Sequence, residues 1–339
     1  MKETLNQMQF DAELAPGARN AVQVCLRIQP SEKVTVITDL ACKDIAASIV
    51  REIEEVGAHY NAFLLEDLGT RPMHDMPREI LDDLESSQVS VYTVQAQPNE
   101  LRTRMQMTDV VNRHKIRHAH MVNIERKIML EGMRADFLKI DELSIKIWEI
   151  ATGAKAIYAR TAAGTDITAD LNKDYKWVKT SGIISTQKWG NLPGGEVFTT
   201  PGEVNGTFVI DGVVGDYLCA KYGDLCQTPL TVNVKRNRIV NLHSDNRELV
   251  DEFWKYTHTD ENSDRVGEFA IGTNIGCRSV IGNILQDEKL PGIHMAFGNP
   301  YGAHTGADWY SSTHIDVVGR NFSIWADERQ IMDAGRFVI

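Results

Sequence analysis

The chain has 339 residues, 42% of them hydrophobic and 24% charged. That balance belongs to a globular protein with a large core; it excludes a disordered or collagen-like chain, and at about 150 residues per domain it suggests two domains. The formal charge of −11 argues against a nucleic-acid partner, which needs a basic face, and against an anionic membrane surface.

No apolar run approaches the about 20 residues of a membrane span, and the N-terminal stretch MKETLNQMQFDAELAPG has no signal-peptide pattern. Five cysteines without a CxxC pair give no disulfide framework and no thiolate zinc site. The expected location is cytoplasmic, with reduced thiols.

In chain order, Ala21, Val22, Cys25 and Leu26 recur at helical spacing within Asp11 to Ile28, and Pro30 closes that segment. The β-branched run KVTVIT (Lys33 to Thr38) predicts a buried strand. Ile45, Ile49, Ile53 and Val56 then mark one helical stripe, stopped by Gly57. A strand at Tyr60 to Leu65, a helix at Pro77 to Leu84 and a strand at Val89 to Val94 follow. This alternation implies parallel strands with crossover helices, hence an α/β layer domain over residues 1–150. The turn after the first strand reads DLACKD rather than GxGxxG, so no dinucleotide cofactor is expected.

Met107 to Trp148 reads as helical pieces. From Ala154 the character changes to short β-branched runs between Gly, Asn and Asp: AIYA, TDITADL, GEVFTTP, GTFVIDG, LTVNVK, GEFAIG, GIHMAFG and THIDVVG. Residues 151–339 are therefore expected to form a mainly β (α+β) C-terminal domain, and the site lies there.

The strongest local signal is THIDVV. Alternate residues of a strand share a face, so His314 and Asp316 project together while Ile315 and Val317 point inward. An imidazole beside a carboxylate is a half-site for a divalent metal, although an ordinary His–Asp hydrogen bond has the same spacing. Glu196, Glu268 and His294 are single polar residues in otherwise apolar strands, where a charge is unfavourable unless paired or metal-bound. His114, His118 and His120 in RHKIRHAH compete with them. Arg113, Lys115 and Arg117 crowd that cluster, however, so a solvated basic face is the expected outcome. His243 and His258 read as lone surface histidines, and His304 lies in a glycine-rich loop.

Taken in order, GTDITADL (Gly164 to Leu171), NLPGGEVFTTP (Asn191 to Pro201), VNGTFVIDG (Val204 to Gly212), GEFAIGTN (Gly267 to Asn274), DEK…GIHMAFG (Asp287 to Gly298) and STHIDVVG (Ser312 to Gly319) resemble the aminopeptidase T and aminopeptidase S family of metallopeptidases. The N-terminal half is similar only in its strand–helix pattern. The resemblance implies two divalent ions (zinc, cobalt or manganese) held by Glu196, Glu268, His294, His314 and Asp316, with Tyr301 seven residues past the first metal histidine. It also implies a two-domain homodimer and a small-molecule or short-peptide substrate.

The charge balance agrees: three carboxylates and one bridging hydroxide neutralise two divalent cations. The expected reaction is hydrolysis of a C–N amide bond by a metallohydrolase whose bridging hydroxide lies between ions about 3.5–4 Å apart. Tyr301 donates to the oxyanion and Glu268 shuttles the proton. Ring-cleaving 2,5-dihydroxypyridine dioxygenases resemble the same scaffold with one ferrous ion, but carry a histidine where this chain has Glu268 and lack the ligands at Glu196 and His294. A mononuclear Fe(II) dioxygenase is the alternative, with Glu268 or His294 joining His314 and Asp316. A non-catalytic small-molecule-binding protein is the further alternative.

Overall fold

The computed structural model describes residues 5, 7–187 and 189–339. The fold is mixed α/β, with two compact units: Met1–Leu138 with Gly182–Gly194, and Lys139–Ser181 with Gly195–Ile339. The division falls just inside the helix Phe137–Gly153, ahead of the border at 150 read from composition, because that helix runs unbroken through the change in character. Gly182–Gly194 is read as part of the second half by position alone, yet it returns to the first unit.

The first unit is built on a parallel sheet whose strands lie in the order His59–Leu64, Lys33–Thr38, Val89–Thr93, Arg117–His120 and Gly190–Asn191. Ile45, Ile49 and Ile53 bury one stripe of the helix Lys43–Val56, each contributing about 1.5–3 kcal/mol. Gly57 ends the helix at φ 80°, its amide bonded to the Ile53 and Glu54 carbonyls, the left-handed cap that glycine adopts without strain.

Strand order reverses between Lys33–Thr38 and Val89–Thr93, the place where sheets of this kind usually take ligands. Here the Arg71 guanidinium joins the two strand ends. It donates to Asp39 Oδ2 at 2.6 Å and to the Gln95 carbonyl at 2.6 Å, and it also pairs with Glu100.

The second unit contains only antiparallel pairings among its named strands, in an eight-stranded and a five-stranded sheet. All eight runs picked out by composition form strands there. The five-stranded sheet runs His314–Val318, Gly292–Gly298, Val266–Gly272, Glu196–Thr199, Val178–Thr180. Val197, Phe269, Ile271, Ile293, Met295, Phe297, Ile315 and Val317 enter one core. The period of two then places Glu196, Glu268, His294, His314 and Asp316 on the opposite face. No helix among the described residues is long and apolar enough to cross a membrane.

Candidate metal centre

Strand register converts five separate sequence positions into one cluster. Across the ladders, Glu196 faces Gly272, Glu268 faces Ala296, His294 faces Ala270, Asp316 faces Ala296 and His314 faces Gly298. Glu268, His294 and Asp316 thus each have an alanine opposite them on a neighbouring strand, which leaves space above the sheet that a larger side chain would fill, whereas at Gly272 and Gly298 that room is taken by the Leu290 and Thr313 carbonyls.

Two groups of ligand atoms result, Glu196–Glu268–His294 and Glu268–His314–Asp316, with the atoms of each group within 4.8 Å of one another. Glu268 belongs to both. Its Oε1 lies 3.3 Å from His294 Nε2 and its Oε2 lies 3.7 Å from His314 Nε2. His294 Nε2 is 3.4 Å from Glu196 Oε2, and His314 Nε2 is 3.4 Å from Asp316 Oδ1. These separations exceed the about 2.7–2.9 Å of a charge-assisted hydrogen bond. They match the roughly 3.3 Å between neighbouring donor atoms around a tetrahedral ion with bonds of about 2.0–2.1 Å. The donor set and its spacing fit a divalent cation.

The imidazoles are oriented differently. His314 Nδ1 donates to the Asn299 carbonyl at 2.9 Å, which fixes the tautomer and leaves Nε2 to face the carboxylates, as ligating histidines usually do. His294 Nδ1 is buried without a hydrogen-bond partner among the described residues, so within them its ring is held by packing and by Nε2. Burial disfavours the charged form of both rings, but the surrounding carboxylates outweigh it: His294 is raised, and His314 is pushed up to about 10. Glu196 and Asp316 end below the usual carboxylate range, because Lys289 and His294 for Glu196, and His314 for Asp316, overcome the penalty of burial. The cluster calls for positive charge.

Asn299 organises the loop beside it. Its carbonyl takes His314, its side-chain oxygen accepts from the Tyr301 amide at 2.9 Å and its amide donates to the Ser311 carbonyl at 3.1 Å. Tyr301 is left-handed at φ 49°, is 42% exposed, and lays its ring against His314 with centroids 4.3 Å apart.

Glu288 and Lys289 stand in the DEK stretch of the sequence, which by itself gives them no place at the site. The Lys289 side chain is 2% exposed, and its ammonium sits 2.7 Å from Glu196 Oε2 and 2.5 Å from Glu288 Oε1. Thr180 donates to the other Glu196 oxygen at 2.7 Å. A charged run such as DEK normally marks a solvated face. It turns inward here because the segment is pinned: Asp287 accepts the amides of Ile281, Gly282 and Asn283, each at 2.9 Å. Gly272 also admits the Leu290 carbonyl, which would lie 2.0 Å from any Cβ at that position.

The competing histidines prove unlike a solvated face. His114 is exposed at a helix end, but His118 and His120 are buried on an interior strand. Ser90 Oγ lies 2.8 Å from His118 Nδ1, and His118 Nε2 lies 3.1 Å from His120 Nδ1. His120 stacks on Tyr92, and Trp189 lies against both rings. Burial lowers both, His118 to about 3. His258 stacks on Trp254 with centroids 3.9 Å apart, while His243 and His304 are exposed.

A mixed α/β chain with paired carboxylate–imidazole groups on an antiparallel sheet has the makings of a metal-dependent hydrolase. Comparison with known proteins assigns the family: residues 145–333 match the thermophilic metalloprotease (M29) family, and the chain belongs to it. It is a metallohydrolase of the peptidase type. A search of curated proteins returned no match.

Among solved structures, AmpT from Thermus thermophilus is similar at a TM-score of 0.70 and 15% identity, over 98% of this chain and 100% of that one. The 2,5-dihydroxypyridine dioxygenase from Pseudomonas putida KT2440 is similar at a TM-score of 0.70 and 16% identity, over 96% of each chain. At such identities these two likenesses establish the fold and leave the chemistry to the site.

Proposed function

We propose that the protein is an aminopeptidase-like hydrolase that cleaves a C–N amide bond of a short peptide or related small molecule. Glu196, Glu268 and His294 would hold one divalent ion, and Glu268, His314 and Asp316 a second. The observation that carries this reading is the sharing of Glu268, with one oxygen turned toward each histidine. Zinc, cobalt or manganese suits the donors. Such ions would supply a nucleophilic hydroxide near neutral pH and polarise the scissile carbonyl.

The chain's own groups do the rest. Tyr301, lying on His314, donates from its hydroxyl to the developing oxyanion. Glu268, read from sequence as the proton shuttle, has both oxygens directed at the two groups, and this favours a spanning role over a shuttling one. The Asn299 carbonyl keeps His314 in the orientation that its role requires.

The dioxygenase reading draws on His314 and Asp316 with Glu268 or His294, although each of the two groups offers one imidazole and two carboxylates. The second group, Glu196 with His294, favours the hydrolase. Assay of aminoacyl amides and hydroxylated N-heterocycles in air decides between them. The hydrolase releases amine, is stopped by chelator and needs no oxygen. Ring opening with uptake of one O₂ per turnover would overturn this proposal.

A further inference from the structure

The two groups are chemically unequal, and Lys289 makes them so. Both oxygens of Glu196 already accept from the protein, Oε1 from Thr180 and Oε2 from the Lys289 ammonium. Oε2 is also the atom that faces His294 Nε2. A cation placed between Glu196 and His294 must therefore share that oxygen with a buried positive charge. The other group meets that charge only at longer range: among the described residues no lysine or arginine lies within 4 Å of the carboxylates of Glu268 or Asp316, whose ion-pair partners are the two histidines, and Lys289 reaches Asp316 through its field alone.

We infer that Lys289 ranks the two ion positions, so that Glu268–His314–Asp316 fills first and tightly while Glu196–Glu268–His294 takes its ion weakly and exchanges it. The inference rests on the metallohydrolase reading and deepens it. The dinuclear state becomes conditional on the supply of free divalent cation, and the chain can exist with one ion in place. Glu288 sets the strength of the effect, because it holds the far side of the same ammonium. Lys289 contacts neither His314 nor Asp316, so it acts on the second ion through Glu196 as a positioning residue.

The test is a calorimetric titration of the chelator-stripped chain with zinc and, separately, manganese. The wild type is expected to bind in two steps whose dissociation constants differ by about tenfold or more, since one unit charge a few ångströms away readily produces such a gap. Lys289→Met leaves Glu196 and Glu288 as an uncompensated buried pair and should tighten the second step by about tenfold, closing the gap. Glu288→Gln concentrates the ammonium on Glu196 and should loosen the same step by a similar factor. The first step, held within about threefold, reports in both variants that the fold is intact.

If Lys289→Met fails to fold, the Glu288→Gln shift alone decides. Two steps of equal affinity in the wild type, or a second step that is unmoved or moves oppositely in these variants, overturns the ranking and leaves the hydrolase standing. A wild type that binds no ion overturns both.

Discussion

Two strands of this protein carry a histidine with a second titratable residue two positions on, His118 with His120 and His314 with Asp316, and they have opposite chemistry. In Arg117–His120, His118 and His120 share a face with Ser90, Tyr92 and Trp189, no carboxylate among the described residues pairs with them, and burial drives both toward neutrality. In His314–Val318, His314 shares its face with Asp316 and with Glu268 from another strand, and is pushed toward the cation. The period of a strand decides which side chains point together. The neighbouring strands decide whether those side chains become core or ligands.

The comparison can be broken by exchanging roles. His314→Ala or Glu268→Gln should lower turnover of an aminoacyl amide by at least about a thousandfold and reduce bound metal, whereas His118→Asn should leave turnover within about twofold. Steady-state assays of the three proteins, with metal content measured on the same samples, check this. Equal losses in all three would erase the distinction.

Ala296 sharpens it next, because it lies across from both Glu268 and Asp316. Ala296→Leu fills the space left above the sheet and should weaken divalent-ion binding by about a hundredfold without altering the secondary structure seen by circular dichroism. A variant that still binds metal normally would remove the small-residue argument. Tyr301→Phe should reduce kcat by about a hundredfold with metal content unchanged, and an unaltered kcat would remove Tyr301 from the reaction.

The smallest effect on activity, and the clearest on stability, concerns pH. The folded His118 has a pKa of about 3 against 6.5 when unfolded, so below about pH 6.5 the unfolded chain binds the extra proton. Stability is full above that value and falls as the pH drops toward 3. Compared with the wild type, His118→Asn should show a shallower loss of denaturation midpoint between pH 6.5 and 4. Parallel curves would mean that His118 does not stay neutral in the fold.

Much of this was legible in the sequence, for a local reason. The eight β-branched runs of the second half announce themselves, and a lone charge between apolar neighbours in GEFAIG or GIHMAFG marks the face opposite the core. Even the small residues facing the ligands, Ala270, Gly272, Ala296 and Gly298, stand in those motifs. What stayed hidden depends on contacts between distant segments. Arg238–His243 and Arg329–Asp333 are strands whose polar residues blur the alternation. The inward turn of Lys289 depends on the Asp287 loop and on Gly272, and the burial of His118 depends on Ser90 and Trp189. Three basic residues beside that pair suggest solvent, and only the strand's interior place in the sheet overrides them.

Anomalous X-ray scattering from crystals soaked in zinc or manganese tests the central claim most directly. The account predicts a strong peak within bonding distance of His314 Nε2, Asp316 and Glu268, and a weaker one about 3.5–4 Å away beside His294 and Glu196. A map that is featureless there, or whose peak lies at His118 and His120, would contradict it.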